Sequence, residues 1–339
     1  MSNSPSPSSV CGTKRKRTDT IPDTIPDTGS PTDTVITRSD MWFDDGNIVL
    51  QAGMTQFRVH RGIIARHSSV FKDMFAMAQP TGELEIEGCA VVHVMDTPQD
   101  WRNVLVVLYD SLKAYKSTDD ISFAVLRSML RLGTKYEFDH LRELVMEHLA
   151  SKLPRSLDSW DKTYDEDGNR VASVDCHHFD LVNLLLEWDI RSVLPTALYT
   201  CIEVHTLKEI LQGSTREDGT PVRLVTKAQT TMVLGKESLS LSSMQYFYDC
   251  FDPSDSEGCQ TPWACQSVRA EVMKTAINNW HVVQALSPSM GQRMRALPTV
   301  FCKVCITKIL ERIRVGREEM WDKLPAYFGL SKWADLTDY

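Results

Sequence analysis

Beyond residue 38, apolar residues recur first at strand spacing and then at helix spacing, and this change of period sets out the elements of the chain. Asn47 to Ala52 and Gln56 to Val59 are short runs separated by Gly53, Met54 and Thr55, a pattern that predicts a β-hairpin. Val70, Phe71, Met74 and Phe75 then return at helical spacing behind Ser68, a helix-capping residue type, and Pro80 closes the run. Alternation resumes around Glu83 to Glu87, and a strand is predicted around Val91 to Met95. Thr97-Pro98 opens a helix from about Gln99 to Ser111, because proline suits a first helical turn. Phe123, Leu126 and Leu130 mark the next helix. In the one after it, Leu141, Leu144, Val145, His148 and Leu149 hold the i, i+3, i+4, i+7, i+8 pattern of a buried face before Pro154. The aromatics of these helices are read as core.

A hydrophilic stretch, Ser159 to Ser173, carries the turn-like Asp165-Glu166-Asp167-Gly168. Helical patterning resumes near His177, with Phe179, Val182, Leu185 and Leu186 on one face. Pro195 is expected to open a helix over Thr196 to Gln212 that Gly213 stops. Towards the C-terminus, Lys303 to about Met320 places Ile306, Ile309, Leu310 and Ile313 on one face and Lys308, Arg312, Arg314 and Arg317 elsewhere. A charged outer face of this kind is ordinarily solvated, and Glu311, Glu318 and Glu319 dilute its field. Trp321, Tyr327, Phe328 and Trp333 are read as core rather than as a ligand cage.

The first 38 residues differ from everything after them. They are rich in Ser, Thr, Pro and Asp, hold few large apolar side chains and repeat Thr-Ile-Pro-Asp at Thr20 and again at Thr24. Too little apolar surface is available there to offset the entropy of ordering, so a disordered tail is expected. Within it Lys14, Arg15, Lys16 and Arg17 form a compact basic block that suits nuclear import, the alternative being a merely solvated charge run. The expected organisation is a tail over 1–38, a first domain over 39–154, a link over 155–176 and a mainly helical domain over 177–339.

Composition narrows the functional classes. A chain of 339 residues with 42% apolar and 24% charged residues has room for two ordinary globular cores. Its apolar runs fall short of the roughly 20 residues a membrane helix needs, so no membrane partner is expected. Met1 to Val10 lacks the apolar core of a secretory signal, and the expectation is an intracellular chain, in nucleus, cytoplasm or both. A formal net charge of −8 disfavours broad attraction to nucleic acid.

The run FRVHRGIIARHSSVFKDMF, Phe57 to Phe75, resembles the signature of BTB/POZ domains, with Phe57, His60, Arg61, Ile63, Ile64, Ala65, Ser68 and Phe71 filling its places. NVLVVLYD, Asn103 to Asp110, and LRLGTKYEFDHLREL, Leu130 to Leu144, are similar to the later helices of that domain, and together these segments cover about a third of the chain. DMWFDDGNIVLQA, Asp40 to Ala52, resembles the expanded set of BTB proteins of mushroom-forming fungi. The resemblance implies an α+β BTB/POZ domain, a small sheet capped by helices, followed here by a mainly α-helical domain. It also implies a non-enzymatic protein–protein interaction adaptor that forms a homodimer and, in some members, engages a cullin scaffold of a ubiquitin ligase. Many animal members carry Asp in a charged pocket at the dimer interface, where this chain has Asn47. A nuclear transcription- or chromatin-associated factor is the alternative function.

Catalytic signatures are absent: there is no G-x-S-x-G elbow, no phosphate-binding glycine loop and no H-E-x-x-H helix. Cys176, His177 and His178 adjoin in sequence, which rarely creates a nucleophile–base pair in space. His60 and His67 are read as packed, hydrogen-bonded residues rather than metal ligands or acid–base groups. No small-molecule substrate is expected.

Nine cysteines, an odd number, fit reduced thiols or metal ligands better than disulfides. Cys302 and Cys305, spaced C-x2-C, can chelate one ion from a turn, and Cys259 and Cys265, spaced C-x5-C, could complete a tetrahedral structural zinc site. The helix predicted between the pairs, from about Val268 to Leu286, must let the chain return; Cys250 or His281 could replace one ligand. The plainer reading takes all four as small buried hydrophobes.

Overall fold

The computed structural model describes residues 35–77, 85–110, 121–252, 254, 257–278, 286 and 300–338. The N-terminal unit, Met1–Ile36, lies almost wholly outside them, and Lys14 to Arg17 with it. Thr37–Tyr339 form the second unit.

That unit begins with a five-stranded mixed sheet of order β1-β3-β2-β5-β4. Strands β2 (Ile48–Ala52) and β3 (Thr55–Val59) form the expected hairpin, in register from Ile48 opposite Val59 to Ala52 opposite Thr55. Gly53 turns it with φ +53°, a left-handed conformation that glycine adopts without a side-chain clash. Strand β1 (Thr37–Trp42) runs parallel to β3 on one edge, and β5 (Cys89–Val94) runs parallel to β2, with the two-residue β4 (Glu85–Ile86) beyond it. The position of β1 moves the start of order ahead of residue 39. Sequence patterning missed this strand because it is a polar edge in which only Met41 is buried.

Between β3 and β4 the chain forms α1 (Arg61–His67) and α2 (Ser69–Ala76), broken at Ser68. Ser68 has extended backbone, and its hydroxyl accepts from Phe71 N at 3.1 Å, so it caps a new helix rather than continuing the old one. The next helices are α3 (Pro98–Tyr109), α4 (Phe123–Lys135) and α5 (Asp139–Lys152), with Thr97 and Ser122 capping the first two. The inner sheet face, including Leu50, Phe57 and Val59, shares one apolar core with Phe71, Trp101, Leu126 and Leu141 of these helices. On the outer face Val49, Cys89 and Val91 cluster with Trp42 and Ile86. Arg38 lies 4.3 Å over the Trp42 ring, and Glu87 pairs with both Arg38 and Arg58, so a charged cover keeps that face from water.

The remainder is mostly helical: α6 (Leu157–Asp161), α7 (His178–Glu187), α8 (Leu194–Val204), α9 (Leu207–Gln212), α10 (Thr226–Phe251), α11 (Pro262–Asn278), α12 (Lys303–Asp322) and the single turn α13 (Leu324–Tyr327). A two-stranded ribbon, β6 (Ser214–Thr215) with β7 (Pro221–Val222), follows α9. The single helix expected over 196–212 is two helices. Thr206 and Glu209 form a capping box, with Glu209 N on Thr206 Oγ1 at 3.2 Å and Thr206 N on Glu209 Oε2 at 2.8 Å, and this second start breaks the run. Gly213 ends it as expected, at φ +99°, where a Cβ would meet the Val222 carbonyl at 2.8 Å.

The segment read as a hydrophilic link holds α6 and buries Trp160 completely. The core containing Phe57 and Trp101 continues through Trp160, Leu185 and Tyr199 to Trp321 and Phe328. Trp321 and Phe328 are buried, and Tyr327 and Trp333 pack against the same core, as the core reading of these aromatics requires. No helix among the described residues is long and apolar enough to cross a membrane.

Candidate functional site

The two cysteine pairs meet. Gln260 and Thr261 lead into α11 at Pro262, placing Cys259 just before it and Cys265 in its first turn; Cys302 caps α12 and Cys305 lies in that helix's first turn. The sulfurs of Cys259, Cys265, Cys302 and Cys305 all lie within 4.8 Å of one another, and those of Cys259 and Cys302 are 3.8 Å apart. Four converging thiols at this separation could hold a metal ion. No other group of three or more His, Cys, Asp or Glu side chains converges in this way among the described residues. The helix between the pairs is α11, which starts at Pro262, ahead of the expected Val268, so Cys265 is held by helical geometry and not by a loop.

The surroundings favour a thiolate at Cys302 alone, for burial raises both Cys259 and Cys305 above the usual thiol range. Main-chain N–H groups of Cys305 and Gln260 hold the Cys302 thiol down at about 6, an arrangement typical of a thiolate at a helix N-terminus. Thr261 Oγ1 lies 3.2 Å from the Cys265 sulfur, which also accepts from Cys302 N at 3.4 Å. Burial pushes the Cys305 thiol up to about 12, opposed by the Arg269 guanidinium. These cysteines belong to a small apolar cluster with Cys250, Phe251, Phe301 and Ile309, separate from the main core. Cys250 is buried in that cluster and stands outside the four-sulfur group; His281 lies outside the described residues.

Other residues singled out in the sequence do not assemble a reaction centre. His60 sits between Asp45, 3.2 Å from its Nε2, and the Tyr109 hydroxyl, 3.2 Å from its Nδ1. His67 is half-buried with its ring 6.4 Å from that of His140. His177 Nδ1 accepts from Phe179 N and so caps α7, while burial pushes the neighbouring Cys176 thiol up to about 12, the opposite of an activated nucleophile. Four cations of α12 are engaged within the chain: Lys308 on the Glu257 carbonyl, Arg312 on that of Asp249, Arg314 with Glu311 and Glu318, Arg317 with Asp161.

Two features escaped sequence reading. Arg269 is buried beside the cysteines, and its only sequence signal is position: it follows Cys265 by four residues and precedes Val272 by three, on the apolar side of α11. His205 is also buried, with the rings of His177 and His178 at 5.0 and 5.4 Å. His177 and His178 precede it by nearly thirty residues, and only the fold joins them.

A small mixed sheet closed by paired helices and continued by helices is a scaffold for presenting surfaces, and its class is that of an interaction module. Residues 43–153 match the BTB/POZ domain family, so the chain carries a BTB/POZ domain over strands β2 to β5 and the first five helices, followed by a mostly helical region. No curated protein matches the chain. Domains of this class are typically interaction modules and not enzymes, which supports a general role as a protein-interaction adaptor.

Proposed function

We propose that the protein is a non-enzymatic adaptor: its BTB/POZ domain self-associates as a homodimer or recruits a scaffold, with a cullin as the named candidate, and its helical half presents a second surface to a target. The observation that carries this reading is the BTB/POZ match over residues 43–153. The continuous core from that domain to Phe328 supports it further, since a packed junction transmits position between two surfaces better than a free tether. We retain the division into a BTB part over 39–154 and a helical part over 177–339, joined by a packed segment over 155–176. On the likeness of Asp40 to Ala52, we place the chain with the expanded set of mushroom-forming fungi.

Light scattering on the full chain tests self-association, with a dimer expected and a monomer at tens of micromolar overturning it. Mixing with purified cullin N-terminal domain tests the scaffold arm: a co-eluting complex is expected, and separate elution removes the cullin. The alternative, a nuclear transcription- or chromatin-associated factor, rests on Lys14 to Arg17. The internal bonding of these four α12 cations weighs against a phosphate-contacting role for that helix. Nuclear fluorescence that disappears when Lys14 to Arg17 are changed to Ala would favour the alternative; unchanged distribution removes it. Either location is consistent with an intracellular adaptor.

We further propose that the four cysteines hold a structural zinc ion. A small satellite core has little apolar area to bury, and a metal staple is a common way to stabilise one. The chemistry zinc supplies there is cross-linking: it would join the start of α11 to the start of α12.

A further inference from the structure

Arg269 poses an electrostatic problem that the described residues around it solve only in part. Only 1% of its surface is exposed. Its Nη1 donates to the main-chain carbonyls of Cys250 at 3.3 Å and Asp252 at 3.1 Å, and its guanidinium lies 5.9 Å over the Phe301 ring. Nη2 has no hydrogen-bond partner among the described residues. No carboxylate among them forms an ion pair with it either; that of Asp252 instead accepts from Ser254 N at 2.9 Å and Ser254 Oγ at 2.8 Å. A buried guanidinium without a paired anion is strongly unfavourable.

The four converging sulfurs are beside it. Arg269 bears on Cys305, one of the four converging sulfurs, and is set one helical turn after Cys265, so α11 fixes its place relative to a second. Four neutral thiols would leave the guanidinium unbalanced. Four thiolates around a divalent ion carry two net negative charges in a dry pocket, and such a centre needs a counter-charge as much as the guanidinium does.

We propose that Arg269 is the buried counter-charge of a tetrathiolate site, so that the ligand of Cys259, Cys265, Cys302 and Cys305 is a soft divalent cation held by all four sulfurs. The inference rests on the metal reading of the cluster and deepens it: it names Arg269 as a positioning residue and sets the charge of the loaded centre. The N–H of Cys305 in the first turn of α12 and that of Gln260 ahead of α11 supply the second favourable field, both directed at the Cys302 sulfur. A centre with one fewer thiolate would carry a single net negative charge and keep a position open to water, the geometry of catalytic rather than structural sites; here a fourth sulfur converges with the other three and fills that position.

The test uses the full chain, purified reduced, with cobalt(II) and zinc(II) as probes. Wild type should take up one cobalt per chain with the intense visible and thiolate charge-transfer bands of a tetrahedral four-sulfur site, and zinc should displace it. In competition with a chelator, Arg269→Gln and Arg269→Met should weaken zinc binding roughly 10–100-fold, while Arg269→Lys, which keeps the charge, should recover much of that loss. The cobalt spectrum at saturation should be the same in all. If wild type binds neither metal, the metal reading itself fails. If wild type binds and Arg269→Gln binds equally tightly, the metal stands and the counter-charge inference is overturned. Should the uncharged variants fold poorly, the decision passes to Arg269→Lys: near-wild-type affinity upholds the inference, and a loss as large as that of Cys302→Ser overturns it.

Discussion

The indole Nε1 of Trp321 donates to the main-chain carbonyl of Arg155 at 3.1 Å, tying α12 to the chain just past the BTB domain. Arg155 answers through its guanidinium, which donates to the carbonyls of Trp333 and Leu336. Trp333 in turn donates to the Trp321 carbonyl at 2.9 Å and stacks on its ring at 5.7 Å. These contacts close a loop of interactions across more than half of the sequence, with Trp160 beneath it, its ring 5.6 Å from those of both Trp321 and Tyr199.

Trp160 is therefore a keystone of the junction. It is fully buried, its Nε1 donates to the Leu286 carbonyl at 3.0 Å, and Arg170 lies 4.7 Å over its ring. Trp160→Ala should cost about 3–5 kcal/mol, as for other buried aromatic truncations. Chemical denaturation of the full chain checks this, and a midpoint equal to that of wild type would show that the segment over 155–176 is a spacer after all.

Phe71 holds the corresponding place in the BTB half. It is 1% exposed, meets Trp101 edge-on at 5.7 Å and has Phe75, Tyr136 and Phe138 around it. Phe71→Ala should destabilise by roughly 3–5 kcal/mol, read as a fall in melting temperature. Phe71→Leu, which leaves a smaller cavity, should lose less; equal effects would mean that ring contacts and not volume decide stability here.

The first half was legible because large apolar residues mark its periods: Phe71 and Phe75 announce a helix, and Ile48 to Ala52 with Phe57 announce a hairpin. Helix α10 was not, although its buried residues fall at helical spacing, because Ala228, Gly235 and Ser243 contribute no hydrophobic contrast. Gly235 is there for fit: a Cβ would lie 2.3 Å from the Phe328 ring. Trp160 was hidden by its polar neighbours. The C-x2-C pair could be read from spacing, but its meeting with Cys259 and Cys265 depends on how α11 and α12 pack. Arg269 was invisible because a charge is ordinarily assigned to the solvent face.

Loss of the zinc staple should be local. In Cys302→Ser with Cys305→Ser, elemental analysis should find zinc gone from a wild-type value close to one per chain, and amide exchange should quicken in α11 and the first half of α12. Protection around Phe57, Phe71 and Trp101 should stay unchanged, because those residues belong to the other core. Wild-type protein purified without chelators, free of zinc and fully protected in α11, would return the cysteines to plain packing.

The histidine cluster predicts how stability responds to acid. Burial holds His178 down at about 4, with His205, Arg170 and His177 adding repulsion, and it also lowers His177 and His205 below the usual imidazole range. His205 Nε2 is buried without a hydrogen-bond partner among the described residues, while its Nδ1 side faces Glu209 at 3.9 Å. A group whose folded pKa lies below its unfolded value binds more protons when unfolded, so stability falls as the pH falls. The contribution of His178 is thus fully present above the unfolded value of 6.5 and is lost as the pH drops through about 4. Carboxylates held low in the folded state, such as Asp40 beside Arg102, act in the same direction at lower pH, so wild type alone does not isolate the imidazoles. His178→Gln removes the titrating group while keeping a polar side chain. Between pH 7 and 5 its denaturation midpoint should change less than that of wild type, in a window where the low-held carboxylates contribute little and where Glu203, which burial pushes up to about 7, titrates in both proteins alike. Equal slopes for the two proteins would show that His178 protonates in the folded state as easily as in the unfolded chain, and that the three rings are open to water.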